Sequence, residues 1–77
     1  MLSKVEEKVM KIIGRRKMKI GAVTEAFYDG IIPPGGQNRI AGVIRSINIK
    51  SDYYNLNWKV DGEGAGRNGR TVWRKSL

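Results

Sequence analysis

Apolar residues recur along this chain with two different periods, and the change between them falls near residue 54. Leu2, Val5, Val9, Ile12 and Ile13 share one face of a helical repeat, which predicts a helix over about 3–14. Ser3 and Glu6 stand at capping-box spacing at its start, and Gly14 is placed to end it. A charged turn follows, then a short strand around Met18 to Ile20. Ala22, Val23, Ala26 and Phe27 form the apolar face of a second helix over about 21–29, which stops at Asp29-Gly30. Pro33-Pro34-Gly35-Gly36 cannot continue a helix and reads as a turn. Ile40, Val43, Ile44 and Ile47 then recur at i, i+3, i+4 and i+7, predicting a third helix over about 37–48, followed by a polar linker from Ile49 to Asp52. From Tyr54 the period becomes two. Tyr54, Leu56, Trp58 and Val60 alternate with polar residues, Arg70 to Arg74 makes a second extended run, and together they predict a β-hairpin over about 54–74. Between the two runs, Asp61 to Gly69 holds four glycines in nine residues and reads as the hairpin loop.

The third helix is the one whose polar face has chemistry. Asn38, Gly42 and Arg45 fall together at i, i+4 and i+7, opposite the isoleucines and flanked by Ala41 and Ser46. Small residues let a helix backbone approach what it touches. Arginine can bond guanine bidentately and asparagine can do the same with adenine, as a helix in the major groove requires. The plainer account is an amphipathic core helix with an ordinary solvated face. Lys4, Lys8, Lys11 and Arg15 make a basic stripe on the first helix, and there the solvated-face account is preferred, at least for Lys4 and Lys8.

Composition narrows the classes. The chain has 77 residues, enough for one small domain, with no cysteine and no histidine, so disulfides, thiolate metal sites and the commonest zinc ligand are excluded. No nucleophile and base pair is visible among the seven carboxylates, and neither an enzyme nor a cofactor is expected. No apolar run approaches a membrane span, and the first fourteen residues are charged and amphipathic rather than a signal sequence, so the expectation is a soluble cytoplasmic chain. The net charge of +8 points to a polyanionic partner. That charge is segregated: residues 15–19 carry four positive charges, whereas 20–36 carry a net two negative ones. Gly64-x-Gly66-x-x-Gly69 matches the dinucleotide fingerprint in letters only, because strand and not helix follows it. Trp58 and Trp73 are expected in the core, and a role as stacking platforms for single-stranded bases is the competing account.

Helix, short strand, helix, turn, helix and hairpin is the order of the winged helix-turn-helix. The chain resembles that α+β family, and in particular small stand-alone winged-helix proteins of phages and mobile elements, through the helix at Ile20 to Phe27, the helix at Arg39 to Ile47 and the strand Gly69-Arg70-Thr71-Val72-Trp73-Arg74. The resemblance implies double-stranded DNA binding, with the third helix in the major groove and a two-stranded wing near phosphate or the adjacent minor groove. On that basis Asn38, Arg39, Gly42, Arg45 and Ser46 face the groove, and Lys17, Lys19, Arg67 and Arg70 contact the backbone. The role implied is a transcriptional regulator or a recombination or replication accessory factor, working as a homodimer or with a larger protein partner to gain specificity. The alternatives are a winged-helix protein-interaction module and an RNA or single-strand binder.

Overall fold

The computed structural model describes residues 2–14, 16–64 and 70–77. Three helices, α1 (Lys4–Ile13), α2 (Ile20–Phe27) and α3 (Gly36–Tyr53), pack against a small antiparallel sheet of β1 (Met18–Lys19), β2 (Trp58–Glu63) and β3 (Thr71–Ser76). The sheet order is β1-β3-β2, so the short strand between the first two helices returns to pair with the end of the chain. The fold is a small α+β domain, with the order of elements that the periodicity predicts. No described helix is long and apolar enough to cross a membrane.

The core takes one or more residues from every longer element: Val9 and Ile13 of α1, Ile20, Val23 and Phe27 of α2, Ile40, Ile44 and Ile47 of α3, Val60 of β2 and Val72 of β3. Val43 and Trp58 pack against its edge. The expected capping box is present in full: the Glu6 amide donates to the Ser3 hydroxyl at 3.2 Å, and the Ser3 amide donates to the Glu6 carboxylate at 2.7 Å. The turn before α3 depends on two glycines for different reasons. Gly35 adopts φ 76°, in the left-handed region that glycine enters without strain. Gly36 is buried, and a Cβ there would stand 2.9 Å from the Ile32 side chain and 3.0 Å from the Tyr28 ring.

Several boundaries depart from the periodicity. Ile20 starts α2 instead of ending the strand, because its amide bonds the Arg70 carbonyl at 2.9 Å while its side chain enters the core. It takes inward positions with Val23, Thr24 and Phe27, leaving Ala22 and Ala26 exposed. The largest departure is α3. Ile49 to Asp52 is not a linker; the helix runs on to Tyr53, and the first hairpin strand begins at Trp58 rather than Tyr54. The extension is held by tertiary bonds. The Lys50 ammonium reaches Glu6 at 2.6 Å, and the Ser51 hydroxyl donates to the Trp58 carbonyl. Asn48 donates to the Val60 carbonyl at 2.8 Å and accepts from the Val60 amide at 2.9 Å. Asp61, Gly62 and Glu63, expected in the loop, continue β2.

Strand parity sorts the tryptophans. Cross-strand partners share a face, so Trp58, Val60, Gly62, Val72 and Arg74 look towards the helices, and Asp61, Trp73 and Lys75 look away. Trp58 therefore borders the core as expected, but Trp73 does not. Its ring lies on the outer face of the sheet with the Lys17 ammonium 4.5 Å from the centroid. Trp58 is in turn covered by the Arg74 guanidinium, 5.0 Å from its ring.

Asn48 serves β2 as a neighbouring strand would, satisfying both outward backbone groups of Val60. Replacing it with alanine strands those groups, and Asn48→Ala is expected to lower unfolding free energy by about 1–3 kcal/mol. Urea denaturation monitored by tryptophan fluorescence measures this. A loss below about 0.5 kcal/mol, the size of an ordinary surface change, would show that water replaces the carboxamide.

Candidate nucleic-acid interface

With Ile40, Ile44, Ile47 and Ser51 buried, the opposite face of α3 is fixed as the open one. Asn38, Arg39, Arg45, Ile49, Asp52 and Tyr53 are exposed on it, and Gly42 is half-buried between them. A Cβ at Gly42 would meet nothing within 4 Å. The fold has no need of glycine there, and glycine inside a helix costs about 0.8–1 kcal/mol relative to alanine. Asn38, Gly42 and Arg45 thus form a polar strip over a low spot in the helix surface. Arg39 stands at its edge. Beyond Arg45 the strip changes character, since Ile49 is 63% exposed and is followed by Tyr53 at 78% and Tyr54 at 46%.

Ser46 does not belong to the open face. Its hydroxyl donates to Glu6 at 2.7 Å, turning the residue towards α1. The reason lies in Glu6, whose carboxylate is almost fully buried between α1 and α3. Burial alone pushes its pKa up. Hydrogen bonds from Lys50, the Ser3 backbone, Ser46 and the Ser3 side chain outweigh that and hold the group at about 2, against 4.5 ordinarily. Glu6, Lys50, Asn48 and Ser51 orient the candidate reading helix, and periodicity gave no warning of the last three. Of the four, Glu6 alone carried a local signal, its capping-box spacing, and that spacing says nothing about its second role.

The remaining basic residues divide. Arg70 precedes β3 on the inward parity and lines a cleft with Arg45, over a floor of Ile20, Ala41, Ile44 and Val72. Lys17 and Lys19 are elsewhere. Lys17 lies over Trp73 and 3.6 Å from Glu63, and Lys19 shares the outward parity of its partner Thr71, so both belong to the outer face of the sheet and not beside α3. Arg67 and Arg15 lie outside the described residues. On that outer face the Asp61 carboxylate accepts from the Gly62 amide at 2.8 Å and lies 3.6 Å from Lys75; the amide bond first, and then the lysine charges, lower its pKa. The acidic residues of 20–36 line a depression of their own. Glu25 and Asp29 border a shallow depression with Ala22 and Ala26 on the exposed side of α2.

No protein-family model, curated protein or solved structure matches the chain. The case for a function rests on the residues themselves. Among the described residues no group of three or more acidic side chains could hold a metal ion.

Because Glu6 has a lower pKa in the folded chain than in the unfolded one, it contributes stability that is complete above pH 4.5 and is lost as the pH falls towards 2. A depression of this size corresponds to about 3 kcal/mol. Unfolding curves collected from neutral pH downwards should show a steep acid loss in the parent chain and a shallower one in Glu6→Gln, which starts from a lower plateau. Parallel acid limbs would assign the loss to other carboxylates.

Proposed function

We propose that the chain is a winged helix-turn-helix protein that binds double-stranded DNA, with the open face of α3 in the major groove. The observation that carries this reading is Gly42. It sits inside a helix, on the solvent side, with nothing among the described residues within 4 Å of where its side chain would be, and it lies between the two side chains best suited to read base edges. Asn38 and Arg45 are the base readers, and Gly42 allows the helix backbone to settle close to the bases. Arg39 and Arg70 contact phosphate on either side, and Arg67, outside the described residues, is a further phosphate contact in this reading. Lys17 and Lys19, on the outer face of the sheet, have no part in the same footprint. The biological role is that of a regulator or an accessory factor in recombination or replication, acting through occupancy of a site and not through chemistry.

A second reading has one observation in its favour. Ile49, Tyr53 and Tyr54 continue the same face of α3 as exposed apolar surface, the composition of a protein contact. On that reading α3 docks a protein and the charge assists solubility. The single-strand alternative has less support, because both tryptophan rings already carry a cation from the chain itself.

Fluorescence anisotropy with duplex, single-stranded and RNA probes of equal length separates these readings. Groove binding predicts preference for duplex and, with Arg39, Arg67 and Arg70 on phosphate, a slope of log K against log salt of about −3. Arg45→Glu should weaken duplex binding far more than Lys4→Glu. Equal losses would mean nonspecific attraction, and weak, equal binding to all probes would make the protein contact the leading account.

Gly42→Ala gives a sharper division. The methyl group has open space, so the variant should be more stable by about 0.5–1 kcal/mol. Its duplex affinity should nevertheless fall about tenfold, the equivalent of 1.4 kcal/mol lost to the wider approach. A stabilised variant with unchanged affinity would place the DNA elsewhere.

A further inference from the structure

The cleft between α3 and β3 has features that a helix reading base edges does not require. It encloses about 340 Å³, at the small end of the range for small-molecule sites. Two guanidinium groups, from Arg45 and Arg70, border an apolar floor, and neither has a carboxylate partner among the described residues. The other residues of the chain, 1, 15 and 65–69, include no aspartate or glutamate. Two like charges share one cleft without an anion between them.

Gly62 leaves the space in which the exposed Arg70 side chain lies. Gly62 is the last but one residue of β2 and has an ordinary backbone conformation, so its φ does not explain the missing side chain. A Cβ at this position would stand 2.8 Å from Nε and 2.9 Å from Nη2 of Arg70. The guanidinium therefore lies across the strand in the space that a side chain would fill. Glycine in a strand interior commonly marks such a close approach. On the other wall, the Asn48 carboxamide is held at both ends by Val60, which keeps that side of the cleft rigid.

We propose that this cleft seats a nucleoside phosphate, with the phosphate between Arg45 and Arg70 and the sugar and base against Ile20, Ala41, Ile44 and Val72. The guanidinium fork matches phosphate oxygens in geometry and charge, and the apolar floor accounts for a ligand with a non-ionic body. Gly62 is the positioning residue, acting through Arg70. The phosphate has two sources, a free mononucleotide or one unit of a bound strand. Arg45 belongs to both this cleft and the open face of α3, so a free nucleotide occupying the seat competes with duplex; that competition rests on the duplex reading, whereas the seat itself does not.

The test is a titration of isotopically labelled protein, followed by amide and arginine side-chain NMR, with deoxyadenosine monophosphate, deoxyadenosine and inorganic phosphate. The nucleotide should perturb Gly62, Ala41, Val72 and the side chains of Arg45 and Arg70 in a saturable way. Removing the phosphate or the nucleoside should each cost about tenfold or more in affinity, the value of a charge-assisted bond or of the buried body. In Gly62→Ala only the mobile end of Arg70 has to move, so the spectrum should remain that of a folded chain while nucleotide affinity falls about tenfold. Lys75→Ala, on the outer face of the sheet, should bind as the parent does. Displacement of nucleotide by short duplex identifies the seat as one occupied by a strand phosphate, and simultaneous binding identifies it as a seat for free nucleotide; either supports the proposal. Absence of saturable shifts, shifts confined to other surfaces, or unchanged affinity in Gly62→Ala overturns it. Duplex binding that persists alongside such a failure leaves the groove reading intact, and loss of duplex binding with nucleotide binding retained leaves the seat intact.

Discussion

The double hydrogen bond between Asn48 and the backbone of Val60 is the constraint on which this arrangement depends. A helix cannot extend a sheet, because its own amides and carbonyls are already engaged along its axis. A carboxamide can do so at one residue, since it offers a donor and an acceptor at the spacing of a peptide group. Asn48 does this from the flank of α3, and one turn later the Ser51 hydroxyl adds a single bond to the Trp58 carbonyl. The outward backbone groups of an edge strand are a template for aggregation, so these bonds protect β2 as well as joining it to the helix. On the other flank of α3, Ser46 and Lys50 are tied to Glu6. Pinned from both flanks, α3 has one rotational setting. That setting turns Ile40, Ile44 and Ile47 inward and leaves Asn38, Gly42 and Arg45 outside.

The anchors also explain what could be read from the chain and what could not. Features set by neighbours in sequence were legible: the Ser3 and Glu6 cap, the break at Pro33 to Gly36, the four-residue apolar repeat of α3 and the inward parity of Trp58 and Val60. Features set by distant partners were not. Lys50, Ser51 and Asp52 have no apolar period and look like a linker, and only Glu6, 44 positions before Lys50, and the carbonyl of Trp58 make helix the better state there. Ile20 reads as strand until the Arg70 carbonyl takes its amide. Trp73 failed differently. Size argued for the core, but Val72 holds the inward position next to it, and alternation leaves the neighbour outside. Among the site residues, Asn38, Gly42 and Arg45 share the exposed face that their spacing indicated, whereas Ser46 was lost to a buried carboxylate that no helical wheel reveals.

Two glycines carry the functional argument, and they do so in opposite ways. Gly42 has open space where its side chain would be, so its absence makes room for something outside the molecule. Gly62 has the Arg70 guanidinium there, so its absence makes room for something inside. Neither adopts a backbone conformation that demands glycine, unlike Gly35 at the start of α3. Helix and strand interiors both disfavour glycine, and a residue kept at some cost to stability is where a binding surface is to be sought. The two positions border the same region, because Arg45 follows Gly42 by one turn and faces Arg70 across the cleft.

The polar anchors and the open face share no side chain except at one point. Glu6, Lys50, Ser46 and Ser51 hold the fold through bonds that involve none of the side chains of Asn38, Gly42 and Arg45, so changes on the open face can alter binding with little effect on folding. The cleft is the exception, since Asn48 is both an anchor of the sheet and part of its wall. Electrostatics couples the two sides at longer range. A net charge of +8 on so small a chain repels itself, and among the described residues the ion pairs of Glu6, Glu63 and Asp61 with lysines leave Arg45 and Arg70 uncompensated. An anion bound between those arginines relieves part of that repulsion in the folded state alone. Binding and folding would then be linked by mass action, so that the surface least needed to hold the chain together is the one through which a bound anion would stabilise it.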